Sequence, residues 1–162
     1  MKYHFTNRPG WDGIHAGQRI ELSTINVAPG QLAVVWFSSN LTWDYSARAN
    51  IRITLQVGAR QVDYKLSIQE LRNGLVVPQY GINVPPTELF RISVDDAIVP
   101  ITWAAYRATS NTPTIVLNMM EQEQGVVPAE WFASSAAVPH ADWQAVHRWS
   151  TVLNDWEAVP VP

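Results

Sequence analysis

The alternation of apolar and polar positions is most regular between Ala49 and Gln69. Ile51, Ile53, Leu55 and Val57 alternate with Arg52, Thr54 and Gln56. After Gly58-Ala59, Val62, Tyr64, Leu66 and Ile68 alternate with Gln61, Asp63, Lys65 and Ser67. A period of two marks strands with one buried and one wet face. With Gly58 supplying the positive φ that a type II′ turn needs first, the predicted hairpin sets Leu55 opposite Val62, Ile53 opposite Tyr64 and Ile51 opposite Leu66. A slip of one residue would break the agreement between turn and faces, so this hairpin is expected to organise the fold. Its wet face carries no aromatic residue, which makes it scaffold rather than a ligand platform.

Other stretches read as strands with turns between them. Met1 to Gly13 is irregular, with turn dipeptides around Trp11. Gln18 to Asn26 alternates through Ile20, Leu22 and Thr24. Leu32 to Phe37, LAVVWF, is a continuous apolar run, as expected of a strand buried on both faces. Leu71 to Val77 is entered through the turn pair Asn73-Gly74. Glu88 to Val94 places Phe90, Ile92 and Val94 on one face, and Asp95-Asp96 turns the chain. Ala97 to Arg107 is interrupted by Pro100, which cannot donate to a ladder and predicts an edge strand or a bulge. Thr114 to Met120 would point Ile115, Leu117 and Met119 inward. Roughly seven or eight strands with regular turn signals predict an all-β fold, an antiparallel β-sandwich or single jelly roll over residues 1–125.

The pattern changes after Glu121 to Gly125. Val126 to Pro139 is rich in Ala and Ser and reads as an extended arm carrying Trp131 and Phe132. From His140 to Trp156 the period becomes 3.6. On a helical wheel Trp143, Val146, Trp149, Val152, Leu153 and Trp156 share one half of the circumference. The predicted C-terminal unit, 126–162, is therefore an arm with one amphipathic helix over 140–156.

Composition bears on this picture in three ways. A chain of 162 residues suggests one domain, and 47% hydrophobic residues can bury a core. A charged fraction of 15% with eight Trp points either to apolar surface covered by a partner or to a large aromatic core. A net charge of −3 without a basic run excludes a nucleic-acid footprint, and the absence of Cys excludes disulfide and thiolate chemistry. No stretch has the length of a membrane span, and no signal-peptide pattern opens the sequence.

Candidate chemistry is sparse. His140, Asp142 and His147 have the residue types of a metal site without its spacing, and His4 and His15 would meet only through loop geometry. Asp95-Asp96 suits a turn better than a pair of catalytic carboxylates. There is no G-x-S-x-G elbow, P-loop or dinucleotide fingerprint. Neither enzymatic activity nor a cofactor or metal is expected. The loop at Trp43, Asp44 and Tyr45, which Trp11, Tyr80 and Trp103 could join, has the aromatic and polar groups that stack on and bond a sugar. The apolar helix face must be covered by the chain's own body or by a neighbour. Trp131, Phe132, Trp143, Val146, Trp149, Leu153 and Trp156 are the expected protein-protein contacts.

In strand pattern, size and composition, Gln18 to Met120 resembles the small single jelly-roll capsid proteins of tailless, icosahedral, membrane-containing phages, such as those infecting Thermus. No residue role is carried over, because those proteins share architecture rather than motifs. The resemblance implies a non-enzymatic structural protein of the virion shell. It would self-assemble, pack with copies of itself or a second capsid protein, and lie near an internal membrane. The alternative is a carbohydrate-binding module or a receptor-binding β-sandwich domain.

Overall fold

The computed structural model describes residues 1–24, 27–42, 52–57, 60–65, 68–77, 82–84, 86–122 and 126–160. The protein is mostly β, with an antiparallel, sandwich-like body. Strand β1 (Lys2–Asn7) leads directly into helix α1 (Arg8–Gly17), where a turn-rich segment was expected. The start of α1 follows from its residues. Asn7 caps it, its Oδ1 accepting from Gly10 N at 3.0 Å, and Pro9 sits in the first turn, where its missing N–H costs nothing. Gly10 is needed because a Cβ there would lie 2.1 Å from Thr6 Oγ1.

Next come β2 (Arg19–Ile20), β3 (Val35–Ser38), β4 (Arg52–Val57), β5 (Arg60–Lys65), α2 (Ile68–Asn73), β6 (Leu75–Val77), β7 (Ile82–Val84) and β8 (Leu89–Val94). The chain continues through β9 (Ile101–Thr102), α3 (Trp103–Thr109), α4 (Thr114–Glu121), β10 (Trp131–Ser134), β11 (Val138–Pro139), β12 (Trp143–Ser150) and β13 (Asp155–Val159). The main sheet has seven strands in the order β13-β12-β8-β1-β3-β10-β9. Hairpin β4-β5 has the expected register, with Leu55 opposite Val62 and Ile53 opposite Tyr64. The Gly58-Ala59 turn and the Ile51–Leu66 pair lie outside the described residues. This hairpin is a separate two-stranded sheet and does not organise the fold. A hairpin needs only its own turn and cross-strand pairs, so its regularity says nothing about its place in the whole.

Two cores flank the main sheet. Trp11, Phe37, Phe90, Ile92, Trp143 and Val146 belong to the first. Val34, Trp103, Tyr106, Leu117, Trp131 and Ala133 form the second. Strand β3 and the residue before it supply both, Val35 and Phe37 to one and Val34 to the other, which is why LAVVWF is apolar without interruption. Strand β8 is buried along its whole length, and Trp11 stacks on its Phe90 at 5.0 Å between ring centroids.

Three predicted elements change type. Trp103 to Thr109 is helical, its start capped by Thr102 Oγ1, so only Ile101–Thr102 of the predicted strand remains, and it is indeed at the sheet edge. Thr114 to Glu121 is also helical. Leu117 is buried while Ile115 and Met119 are exposed, so the alternation there was coincidental. The largest correction concerns 140–156, which is not a helix. A 3-10 turn (His140–Asp142) leads into β12, and β12 pairs with both β8 and β13 inside the main sheet. The extended arm is likewise drawn in, because β10 pairs with β3 and β9.

The mimicry of a helix has a physical cause. The ladder between β12 and β8 shifts register between Trp143 and Ala145. Such an irregularity moves the following residues to the other face, so Trp143 and Val146 both reach the first core. Trp149 points to the opposite face, meeting Trp156 edge-on at 5.5 Å and stacking under the Arg72 guanidinium at 3.6 Å. That face also holds Arg91, buried between the rings of Tyr3 and Trp156, with each centroid 5.0 Å from its guanidinium carbon. A strand covered on both faces, and shifted once, produces apolar spacings of three.

A helix would give Trp149 and Leu153 the same environment, whereas here Trp149 is 8% exposed and Leu153 65%. Trp149→Ala is therefore expected to cost about 3–5 kcal/mol in urea unfolding, and Leu153→Ala no more than about 0.5 kcal/mol. Equal losses would contradict the strand assignment.

Candidate functional site

The main sheet is nearly divided in two. β1 pairs with β8 over six residue pairs, from Lys2↔Val94 to Asn7↔Leu89. β3 pairs with β10 over four, from Trp131↔Ser38 to Ser134↔Val35. Between β1 and β3 only Tyr3↔Ser38 is bridged. Had that ladder continued, Phe5 would stand opposite Trp36. Instead the Trp36 carbonyl bonds the imidazole of His4, at 2.9 Å from Nδ1. A carbonyl oxygen only accepts, so Nδ1 carries the hydrogen and Nε2 holds a lone pair. Among the described residues no donor meets that lone pair.

A cavity of about 210 Å³ opens where the strands part. It is lined by His4, Phe5, Thr6 and Asn7 of β1, Gly10 of α1, Glu21 and Ser23 after β2, and Val34, Val35 and Trp36 at the start of β3. Each strand has its own reason to diverge. The end of β1 is held to α1 by the Asn7 cap, while β3 is held to β10 and, through Val34, to Ser23 N at 3.0 Å. The His4 ring also lies against Phe37, 5.7 Å between centroids. Burial keeps the His4 pKa below the ordinary imidazole range, with its bond to the Trp36 carbonyl pulling weakly the other way. The ring is neutral at pH 7. The cleft therefore contains a fixed, uncharged acceptor beside polar groups and an indole, a set that suits hydrogen bonding to a ligand hydroxyl.

The expected sites fall elsewhere. Trp131, Trp143, Val146 and Trp149 are buried in the chain's own fold, and Phe132 and Trp156 are half-buried. Phe132 lies under the Lys2 ammonium at 3.3 Å, and Trp156 Nε1 donates to the Thr42 carbonyl at 3.1 Å. Of the seven predicted contact residues only Leu153 is exposed, at the turn between β12 and β13. Trp43, Asp44, Tyr45 and Tyr80 lie outside the described residues. Trp11 and Trp103 are buried in the two cores. His15 stacks on Trp11 and His140 meets Trp143 edge-on, so each ring belongs to an aromatic cluster. No helix among the described residues is long and apolar enough to cross a membrane.

A wider depression of about 550 Å³ lies beside the β12-β13 turn. Its charged groups already satisfy one another, since Arg148 pairs with Glu88 at 3.6 Å and with Glu157 at 2.5 Å. The His4 cleft, by contrast, keeps an uncommitted acceptor. His4 was passed over in the sequence because a strand residue in an apparently irregular segment gives no local signal. The chemistry arises from its pairing with Trp36, 32 positions away. Fold and cleft together define a mostly β, sandwich-like protein with a small polar site at a break in its main sheet. No family model matches the chain, and no curated protein or solved structure was found similar to it.

Because folded His4 resists protonation, the unfolded chain binds more protons than the folded one below the ordinary histidine value of about 6.5. Stability should therefore decline as pH falls from about 6.5 towards 5. His147 contributes in the same direction through its burial and the nearby Arg91 charge. In His4→Asn, which retains a donor for the Trp36 carbonyl, the decline measured by urea unfolding is expected to be shallower. Identical slopes in both proteins would contradict a neutral His4.

Proposed function

We propose that the protein binds a small hydroxyl-bearing ligand, a single sugar-like ring, in the cleft between β1 and β3. The observation that carries this reading is the His4 imidazole, tied through Nδ1 to the Trp36 carbonyl and lining the cavity, with no donor to Nε2 among the described residues. A hydroxyl both donates and accepts, so it can satisfy His4 while its oxygen receives from Ser23 or Asn7. Trp36 adds the apolar face against which a sugar ring packs. The volume of about 210 Å³ is below the usual range for drug-sized ligands and suits one ring.

Binding without turnover is the better-supported form of this reading. Glycoside hydrolysis uses two carboxylates on either side of the bond. Glu21 is the single carboxylate among the described lining residues, and it is paired with Arg19 at the surface. This places the carbohydrate-binding alternative ahead of the virion-shell reading, although at another site than the Trp43 loop. The shell reading keeps the support of a sandwich-like body. It loses its contact device, because the tryptophans proposed to meet a neighbour pack within the chain.

Saturation-transfer NMR at millimolar ligand tests this with methyl glycosides of glucose, galactose, mannose and ribose. At least one is expected to bind, and His4→Asn, which lacks the Nε2 acceptor, should weaken it about tenfold, the equivalent of one hydrogen bond. Failure of all four to bind, or equal binding by the variant with its fold intact, would overturn the proposal.

A further inference from the structure

We infer that the cleft has a second, apolar subsite, so that the ligand is a hydroxylated ring bearing an aryl or alkyl substituent: a glycoside with an apolar aglycone. The inference rests on the binding reading above and adds to it the chemical class of the ligand. A cavity of about 200 Å³ adjoins the first and shares Ser23, Val34 and Trp36 with it. Beyond those shared residues its lining turns mainly apolar, to Val27, Leu32, the Tyr106 ring, Val116 and Met120, while its polar members Gln31 and Thr112 are bonded to Ala28 N and to the Tyr106 hydroxyl. Trp36 is the partition, one wall to both spaces, and its ring is held edge-on to Tyr106 at 4.7 Å and 68°. The Tyr106 hydroxyl is turned to Thr112 Oγ1 at 3.2 Å, which leaves the ring as an apolar surface.

Helix α4 supplies the far wall. It is fixed by its other side: Leu117 is buried, Asn118 Oδ1 accepts from Arg107 at 2.7 Å, and Glu121 accepts from Trp103 Nε1 at 2.6 Å. Val116 and Met120, one turn apart, line the cavity, and Met120 also packs against the second core. Val116 is 41% exposed, a β-branched apolar residue on a wet helix face. Each space is too small for more than one ring, and their linings differ in polarity. A molecule polar at one end and apolar at the other, joined across Trp36, matches both.

The test compares the methyl and phenyl glycosides of the same four sugars on wild type, Val116→Trp and His4→Asn. Val116→Trp fills the second space from an exposed position, and Val116→Arg serves if the first variant unfolds. Wild type is expected to bind a phenyl glycoside about tenfold more tightly than its methyl counterpart, as burial of an aromatic ring allows. Val116→Trp should remove that preference and leave the methyl glycoside unchanged. His4→Asn should weaken both equally. A wild type without phenyl preference, or a preference that survives Val116→Trp, would overturn the second subsite while leaving the His4 site standing. Indifference of both glycosides to His4→Asn, or no binding of either, would overturn both.

Discussion

The hydrogen bond from His4 Nδ1 to the Trp36 carbonyl does two things at once. It satisfies a strand carbonyl that has lost its ladder partner, which in a buried setting would otherwise cost on the order of 1–3 kcal/mol. It also holds the two parts of the main sheet at a fixed separation beyond Tyr3↔Ser38, where a ladder would have closed them. Strands that diverge beside a helix start leave a hollow, and the group that bridges them becomes part of its wall. The site is thus a consequence of how the sheet is joined.

The rest of the fold makes that divergence tolerable. β1 is secured by six pairs with β8, and β3 by four with β10, so neither strand depends on the other. The two cores are anchored on different indoles: Trp11 against Phe90 and Trp143 in one, Trp103 edge-on to Trp131 at 4.9 Å in the other. Burial of large side chains, at roughly 1.5–3 kcal/mol each, supports both halves of the sheet. The abundance of tryptophan is thereby explained within one chain. The low charge is explained in the same way, because β8 and β12 are covered on both faces and leave few positions for charged residues. Arg91, the one charged residue buried among the described residues, is accommodated by two aromatic rings and the Leu41 carbonyl, with the Asp155 charge nearby.

What the sequence made legible follows the same physics. The β4-β5 hairpin was read with the right register. β8 was read as a strand with Phe90, Ile92 and Val94 on its one buried face, whereas all six of its residues are buried, because both faces are covered. The run LAVVWF announced a strand with both faces covered, and its second half, from Val35, is one, while Leu32 to Val34 lead into it. Residues 140–156 misled because one register shift and burial of both faces imitate a helical period. Thr114 to Met120 misled in the opposite sense, since Ile115, Leu117 and Met119 alternate by accident on a helix that buries only Leu117. The cleft was not legible at all. His4 and Trp36 become a site only when two distant strands are placed side by side and then fail to pair.

The central claim is a neutral His4 in the wall of the cleft, with its hydrogen on Nδ1 and no donor to Nε2 among the described residues. A long-range proton–nitrogen correlation spectrum of the histidine rings at pH 7, with His4 assigned by His4→Asn, reads this directly. The account predicts a protonated Nδ1 and an unprotonated Nε2 for His4. A spectrum showing the hydrogen on Nε2, or a doubly protonated ring, would contradict it.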